Sequence, residues 1–286
     1  MRLLAATLAL LALPAAAGGY ALPVGGVQLG GGGFSTDQLL DRQIAIKVGS
    51  DGRSLRIAGV AGARCGDKAM VRTFAGKARL GDDASFAVTL ATRVPVDTFY
   101  FRGSGKARID GQFDGDRATG TIALVGARVK AGGTKIACND DAGTFETRDP
   151  RGAHGRGTAT AGTPLYGLTA QRHDGVRQPV LARVSDTGRL VVSSPLYLSH
   201  CRYAYKQAFH DTPAMAVSAQ GGFAGVHRYS TRYRTSRVKY RVRTGGHFTA
   251  EHGILGRIRM DVTAIYKRRA SVRCPTAVDT TFAAVI

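Results

Sequence analysis

The chain has no tryptophan, and across its 286 residues it carries only four cysteines, four methionines and 20 acidic against 40 basic side chains. Without indole rings it lacks the broad apolar faces on which exported modules commonly stack neutral sugars. A neutral-glycan platform is therefore disfavoured, while an acidic glycan gripped by arginine forks stays open. Neither a G-x-S-x-G elbow nor a nucleotide-binding glycine loop occurs, and nucleophilic catalysis needs a poised nucleophile with a base beside it. The expectation is a non-enzymatic protein with no catalytic residue and no cofactor.

Histidine is missing from the first half, since all seven lie from His154 onward. The segment HFTAEH, His247 to His252, has a spacing of five that strand alternation sends to opposite faces, so it reads as a hairpin turn and not as a zinc site. The aspartates of DGQFDGD, Asp110 to Asp116, lack the later carboxylate of a calcium loop and read as a turn. No metal is expected.

Long apolar runs are also absent beyond the start. Met1-Arg2 followed by LLAATLALLALPAAA has the positive start, short apolar run and small-residue end of a secretory signal peptide. The run is broken at Pro14 and falls short of the roughly twenty apolar residues of a membrane helix. The mature chain is expected to have no transmembrane segment and to be secreted, either periplasmic or extracellular.

In an oxidising compartment an even cysteine count predicts disulfides. Cys65 and Cys138 are 73 apart, and so are Cys201 and Cys274. Before the first cysteine of each pair, IAIKVGSDGRSLRIAGVAGARC (Ile44 to Cys65) and VLARVSDTGRLVVSSPLYLSHC (Val180 to Cys201) share length and plan. Gly111-Gln-Phe113 then Gly120-Thr-Ile122 is matched by Gly246-His-Phe248 then Gly256-Arg-Ile258, and Thr144-Phe145 by Thr281-Phe282. This is the signature of a tandem duplication. Of the three pairings open to four cysteines, only Cys65 with Cys138 and Cys201 with Cys274 gives each copy the same bond; four buried free thiols are the alternative.

The expected organisation is a signal peptide over 1–21, a flexible Gly-rich segment over 22–33, a first β domain over 34–148, a Gly/Pro/Thr/Ala-rich linker over 149–164 and a second β domain over 165–286. In RIRMDVT, Ile258, Met260 and Val262 fall on one side and Arg257, Arg259 and Asp261 on the other, the period-two pattern of a half-buried antiparallel strand. Phe86, Val88 and Leu90 repeat it, as do Ile44, Ile46 and Val48, with GSDG, GDDA and DGDR as turns. No stretch beyond the N-terminal run shows a helical stripe. The fold class predicted is all-β, two tandem antiparallel β-sandwich or small barrel domains with one disulfide each.

The repeat resembles a class of exported bacterial β-rich domains of uncharacterised function. The residues that carry the resemblance are Cys65, Gly111, Phe113, Thr119, Gly120, Ile122 and Cys138; the second copy departs from it with Leu255 in the threonine position. The resemblance implies a β-rich fold and brings no activity with it.

Charge is uneven. Residues 1–150 hold 19 basic and 14 acidic side chains, a net of +5, whereas 151–286 hold 21 and 6, a net of +15. The densest stretch is RYRTSRVKYRVRTGG, Arg232 to Gly246. If Arg237 to Arg243 is one strand, Arg237, Lys239, Arg241 and Arg243 share a face about 7 Å apart and Val238, Tyr240 and Val242 share the other. The matching GKARIDG of the first copy has only Lys106 and Arg108 and then an aspartate, so the fold itself does not demand the row. Tyr229, Tyr233 and Tyr240 lie among the arginines as a stacking platform would want, but parity turns Tyr240 inward.

Arg232, Arg234, Arg237, Lys239, Arg241 and Arg243 are accordingly the candidate anion-binding residues. The expected partners are an acidic cell-surface polymer, anionic lipid or extracellular nucleic acid, with a protein partner as a further option. The competing readings are a structural or adhesive module whose charge serves solubility, and a hydrolase with an unrecognised site.

Overall fold

In a computed structural model of the chain, the alternating runs become strands and the Gly/Asp segments become the turns between them. The structure describes residues 20–33, 41–66, 68–93, 103–131, 134–139, 142–151, 162–173, 175–198, 207–212, 214–232, 236–249, 253–268 and 270–286. Residues 1–19 of the expected signal peptide, most of the expected linker, Cys201, Tyr233, Arg234 and His252 lie outside them.

The strands of the first half are β1 (Gln28–Gly33), β2 (Arg42–Val48), β3 (Ser54–Cys65), β4 (Lys68–Arg79), β5 (Ser85–Arg93), β6 (Gly103–Asp114), β7 (Arg117–Ala131), β8 (Thr134–Ala137) and β9 (Gly143–Arg148). Those of the second half are β10 (Pro164–His173), β11 (Val176–Val184), β12 (Arg189–Tyr197), β13 (Gln207–Asp211), β14 (Met215–Ala216), β15 (Gly222–Arg232), β16 (Ser236–Phe248), β17 (Gly253–Tyr266) and β18 (Val272–Val285). All the pairings are antiparallel, and they form two nine-stranded sheets.

The first sheet closes on itself. Each strand from β1 to β7 pairs with the next, β7 pairs with β9, and β9 returns to β1. That is an up-and-down ring, with β8 laid on the far end of β7. The second sheet runs β13-β12-β11-β10-β18-β17-β16-β15, with β14 on β12. A single bridge from Val217 to Phe223 brings the start of β15 toward β14. For the first sheet the choice left open between sandwich and small barrel thus resolves toward the barrel.

Alternation decides which side faces in. Ile44, Ile46 and Val48 are fully buried in the first core with Phe86, Ile109, Phe113 and Ile122. Ile258, Met260 and Val262 are buried in the second with Val238, Tyr240 and Val242. Between the apolar runs Gly52 and Gly188 turn the chain with φ of 66° and 70°, a backbone that glycine adopts without a Cβ clash. Asp114 to Arg117 likewise closes a hairpin through Gly115; of the aspartate cluster expected as a turn, Asp116 is in the turn while Asp110 and Asp114 belong to β6.

The two halves share a cross-strand register as well as a strand order. Phe86, Gly111, Gly120 and Phe145 lie side by side on β5, β6, β7 and β9, and Phe223, Gly246, Gly256 and Phe282 do so on β15, β16, β17 and β18. In each row the central glycines leave room for the rings: a Cβ on Gly111 would lie 2.6 Å from the Phe86 ring, and one on Gly256 2.4 Å from the Phe282 ring. Phe113 and Phe248 then pack on Phe86 and Phe223 with ring centroids 5.7 and 6.2 Å apart.

The Gly-rich stretch expected to be flexible is instead β1, paired on both edges with β2 and β9. A run without side chains has no hydrophobic period to read, yet its smoothness lets other backbone approach. A Cβ on Gly30 would lie 2.0 Å from the Gly167 carbonyl oxygen of β10. There the two sheets touch, over a small apolar patch of Ala45, Ala58, Leu168 and Val176. Beside it a buried hydrogen bond runs from Gln43 Nε2 to Ser193 Oγ, 2.6 Å.

Cys65 and Cys138 form a disulfide, flanked by the Asn139 amide donating to the Arg64 carbonyl at 2.8 Å. Cys274 is also disulfide-bonded; its expected partner Cys201 lies outside the described residues.

Candidate functional site

Arg237 to Arg243 does lie in one strand, β16, and its parity is as the sequence reads it. Val238, Tyr240 and Val242 are buried, and Tyr240 stacks flat on the half-buried Tyr229 across the hairpin, rings 4.6 Å apart. Arg237, Lys239 and Arg241 are exposed on the outer face, as is Arg232 at the end of β15. Arg234 lies outside the described residues.

Register shows what stands beside each cation. Arg228 of β15 is directly opposite Arg241, Ser230 opposite Lys239, and Arg232 opposite Arg237. On the other flank Arg241 faces Asp261 of β17, and Lys239 faces Thr263, which in turn faces Arg273 of β18. Arg237 donates to Ser230 Oγ through Nε and Nη2, at 3.2 and 3.0 Å. Arg228, Arg237, Lys239, Arg241, Arg273 and Asp261 line a groove of about 570 Å³.

Arg243 behaves differently. No carboxylate is near it in sequence, but pairing of β16 with β17 brings Asp261 within 2.5 Å of its Nη2. The other oxygen of Asp261 accepts the amide of Thr276 at 3.1 Å, where β18 bulges and Thr276 takes a φ of 56°. Asp261 is thus committed at both oxygens. Farther along the same face Arg257 and Arg259 share Asp279; the Arg257 guanidinium in particular holds the Asp279 carboxyl below its usual range.

The outer face therefore divides. Its Arg243, Arg257 and Arg259 have carboxylates, whereas among the described residues Arg228, Arg232, Arg237, Lys239, Arg241 and Arg273 form no ion pair. Like charges directly opposite on neighbouring strands destabilise a sheet by roughly a few tenths of a kcal/mol, and an anion reverses the sign of that interaction.

The first half lacks the feature at the corresponding strand: on β6, Arg108 pairs in-strand with Asp110 at 3.0 Å. Sequence reasoning missed Arg228 and Arg273. Arg228 was readable from its parity with Arg232 once the hairpin register is known, but Arg273, beside Cys274, carries no local signal and joins the site only through β18. No group of three or more histidine, cysteine, aspartate or glutamate side chains placed to hold a metal occurs among the described residues.

No family model, curated protein or solved structure matches this chain.

Proposed function

We propose that this is an exported, non-enzymatic protein built from a duplicated β domain, whose second copy binds an anionic polymer or surface through the outer face of β15 to β18. The observation that carries the reading is the arginine opposed to arginine at Arg228 and Arg241 in the groove, with Arg232 opposite Arg237 on the same face; Asp261, the carboxylate among the groove's lining residues, stands opposite Arg241 but is bound to Arg243 and to the Thr276 amide. Such a cluster is costly in the free protein and complementary to polyanions. The shared phenylalanine and glycine register of the two halves supports the duplication, and the neutralised Arg108 of the first copy supports assigning the cations to a ligand and not to the fold.

The test is retention of the mature chain on an immobilised polyanion across a salt gradient. Arg237→Glu, Lys239→Glu and Arg241→Glu together should bring elution to markedly lower salt. The same reversal at Lys77, Arg79 and Lys106, exposed on the first barrel, should shift it far less. Equal shifts in the two variants would show that net charge alone governs retention and would refute the site.

A further inference from the structure

The ligand class follows from a count of bonds. Residues i and i+2 of a strand are six backbone bonds apart and share a face at a spacing of about 6.8 Å. Successive phosphates of a phosphodiester chain built on a three-carbon link, P–O–C–C–C–O–P, are also six backbone bonds apart. With bonds of similar length, such a chain when extended repeats at about the same 7 Å.

Arg237, Lys239 and Arg241 occupy three consecutive positions of this kind on β16. Each has polar neighbours on the adjoining strands: Arg232 opposite Arg237, Ser230 and Thr263 flanking Lys239, and Arg228 and Asp261 flanking Arg241, where Asp261 is bound to Arg243. The fourth position, Arg243, is taken up by Asp261.

Resting on the anion-binding reading above, we propose that the groove holds an extended phosphodiester chain along β16, with three successive phosphates in register with Arg237, Lys239 and Arg241. Guanidinium groups from both strands grip the outer phosphates, since arginine matches phosphate oxygens in a fork. Lipid headgroups in a bilayer diffuse independently and present no fixed repeat, whereas the row on β16 has one, which favours a chain. Recognition stops at the backbone of the polymer. Tyr229 and Tyr240 border the groove, but Tyr240 is buried and stacked on Tyr229, whose ring also has His227 at 5.1 Å, so their ring faces are already occupied. Polyol-phosphate or sugar-phosphate polymers and single-stranded nucleic acid then bind through the same atoms.

The experiment measures anisotropy of three labelled probes of matched charge number with the mature chain: an abasic deoxyribose-phosphate oligomer, an oligodeoxythymidylate and a repeated Glu-Gly-Gly peptide. The two phosphodiesters should bind within about threefold of each other, and about tenfold or more tighter than the peptide, whose charges recur every nine backbone bonds and on alternate faces when extended. With three phosphates neutralised, log Kd should rise with log salt with a slope of about 2. Asp261→Asn keeps the acceptor for Thr276 while releasing Arg243, and should raise that slope by about 0.7.

Equal affinity for the Glu-Gly-Gly peptide and both phosphodiesters would overturn the spacing while leaving an anion site. Thymidylate binding more than about tenfold tighter than the abasic chain would overturn backbone-only recognition. Tighter binding to phosphatidylglycerol vesicles than to either oligomer would replace the polymer by a membrane. Binding of none of the probes would remove the anion-binding reading itself.

Discussion

Asp51 shows how single side chains set the turns that fix the strands. It accepts the amides of Ser54 and Arg53, at 2.9 and 3.0 Å, and the Ser54 hydroxyl at 2.8 Å. These bonds, the Ser54 amide foremost, favour the carboxylate and pull its pKa from 3.8 to about 2. A carboxyl depressed on folding adds stability that is present above the unfolded value and is lost as pH falls through the folded one. The Tm difference between wild type and Asp51→Ala should therefore be constant above about pH 5 and shrink between about pH 4 and pH 2. A difference unchanged at low pH would mean that the turn does not use the ionised carboxyl.

At the scale of strands, the same four-residue row in each half makes glycine a packing residue. A Cβ on Gly120 would fall 2.1 Å from the Asp110 carbonyl oxygen and 2.8 Å from the Phe145 ring. Backbone cannot retreat as a long side chain can, so Gly120→Ala should cost about 1–3 kcal/mol, read by denaturant unfolding. Gly256→Ala meets the end of the Phe282 ring at 2.4 Å first and should cost the same or somewhat less, because a ring can tilt. An unchanged midpoint in both variants would show that the rows are not close packed. These strands were legible in the sequence because Ile258, Met260 and Val262 alternate cleanly with charges; β1 was not, because Gln28 to Gly33 offers one apolar side chain and five residues whose partners lie on β2 and β9.

For the molecule as a whole, the disulfide from the end of β3 to the segment after β8 constrains a loop of 73 residues. In the chain-entropy model that restricts the unfolded chain by about 4 kcal/mol. Cys65→Ala with Cys138→Ala should lower unfolding stability by that order, and a reductant should then have less further effect than on the wild type. Loss of less than about 1 kcal/mol would place the restraint in the β3 to β8 packing and not in the bond. The wide separation of basic and acidic residues also acts at this scale: the second half carries the excess, and its folding determines which cations keep carboxylates and which stand together in the groove.

By itself the sequence determined the all-β class, the inner and outer faces of the clear strands, the Cys65–Cys138 pairing and the outward row on β16. Each of these depends on a period of two, a turn residue or an equal spacing, which are properties of neighbours along the chain. Only the tertiary structure decided that the first sheet closes into a ring, that β1 is a strand, that Arg72 is buried inside the first barrel with Nη1 donating to the Val71 carbonyl at 3.0 Å, and that Arg243 belongs to Asp261 while Arg228 and Arg273 join the groove. Those facts are set by cross-strand register, which places residues far apart in the chain within reach of one another and leaves no mark in the local pattern of either strand.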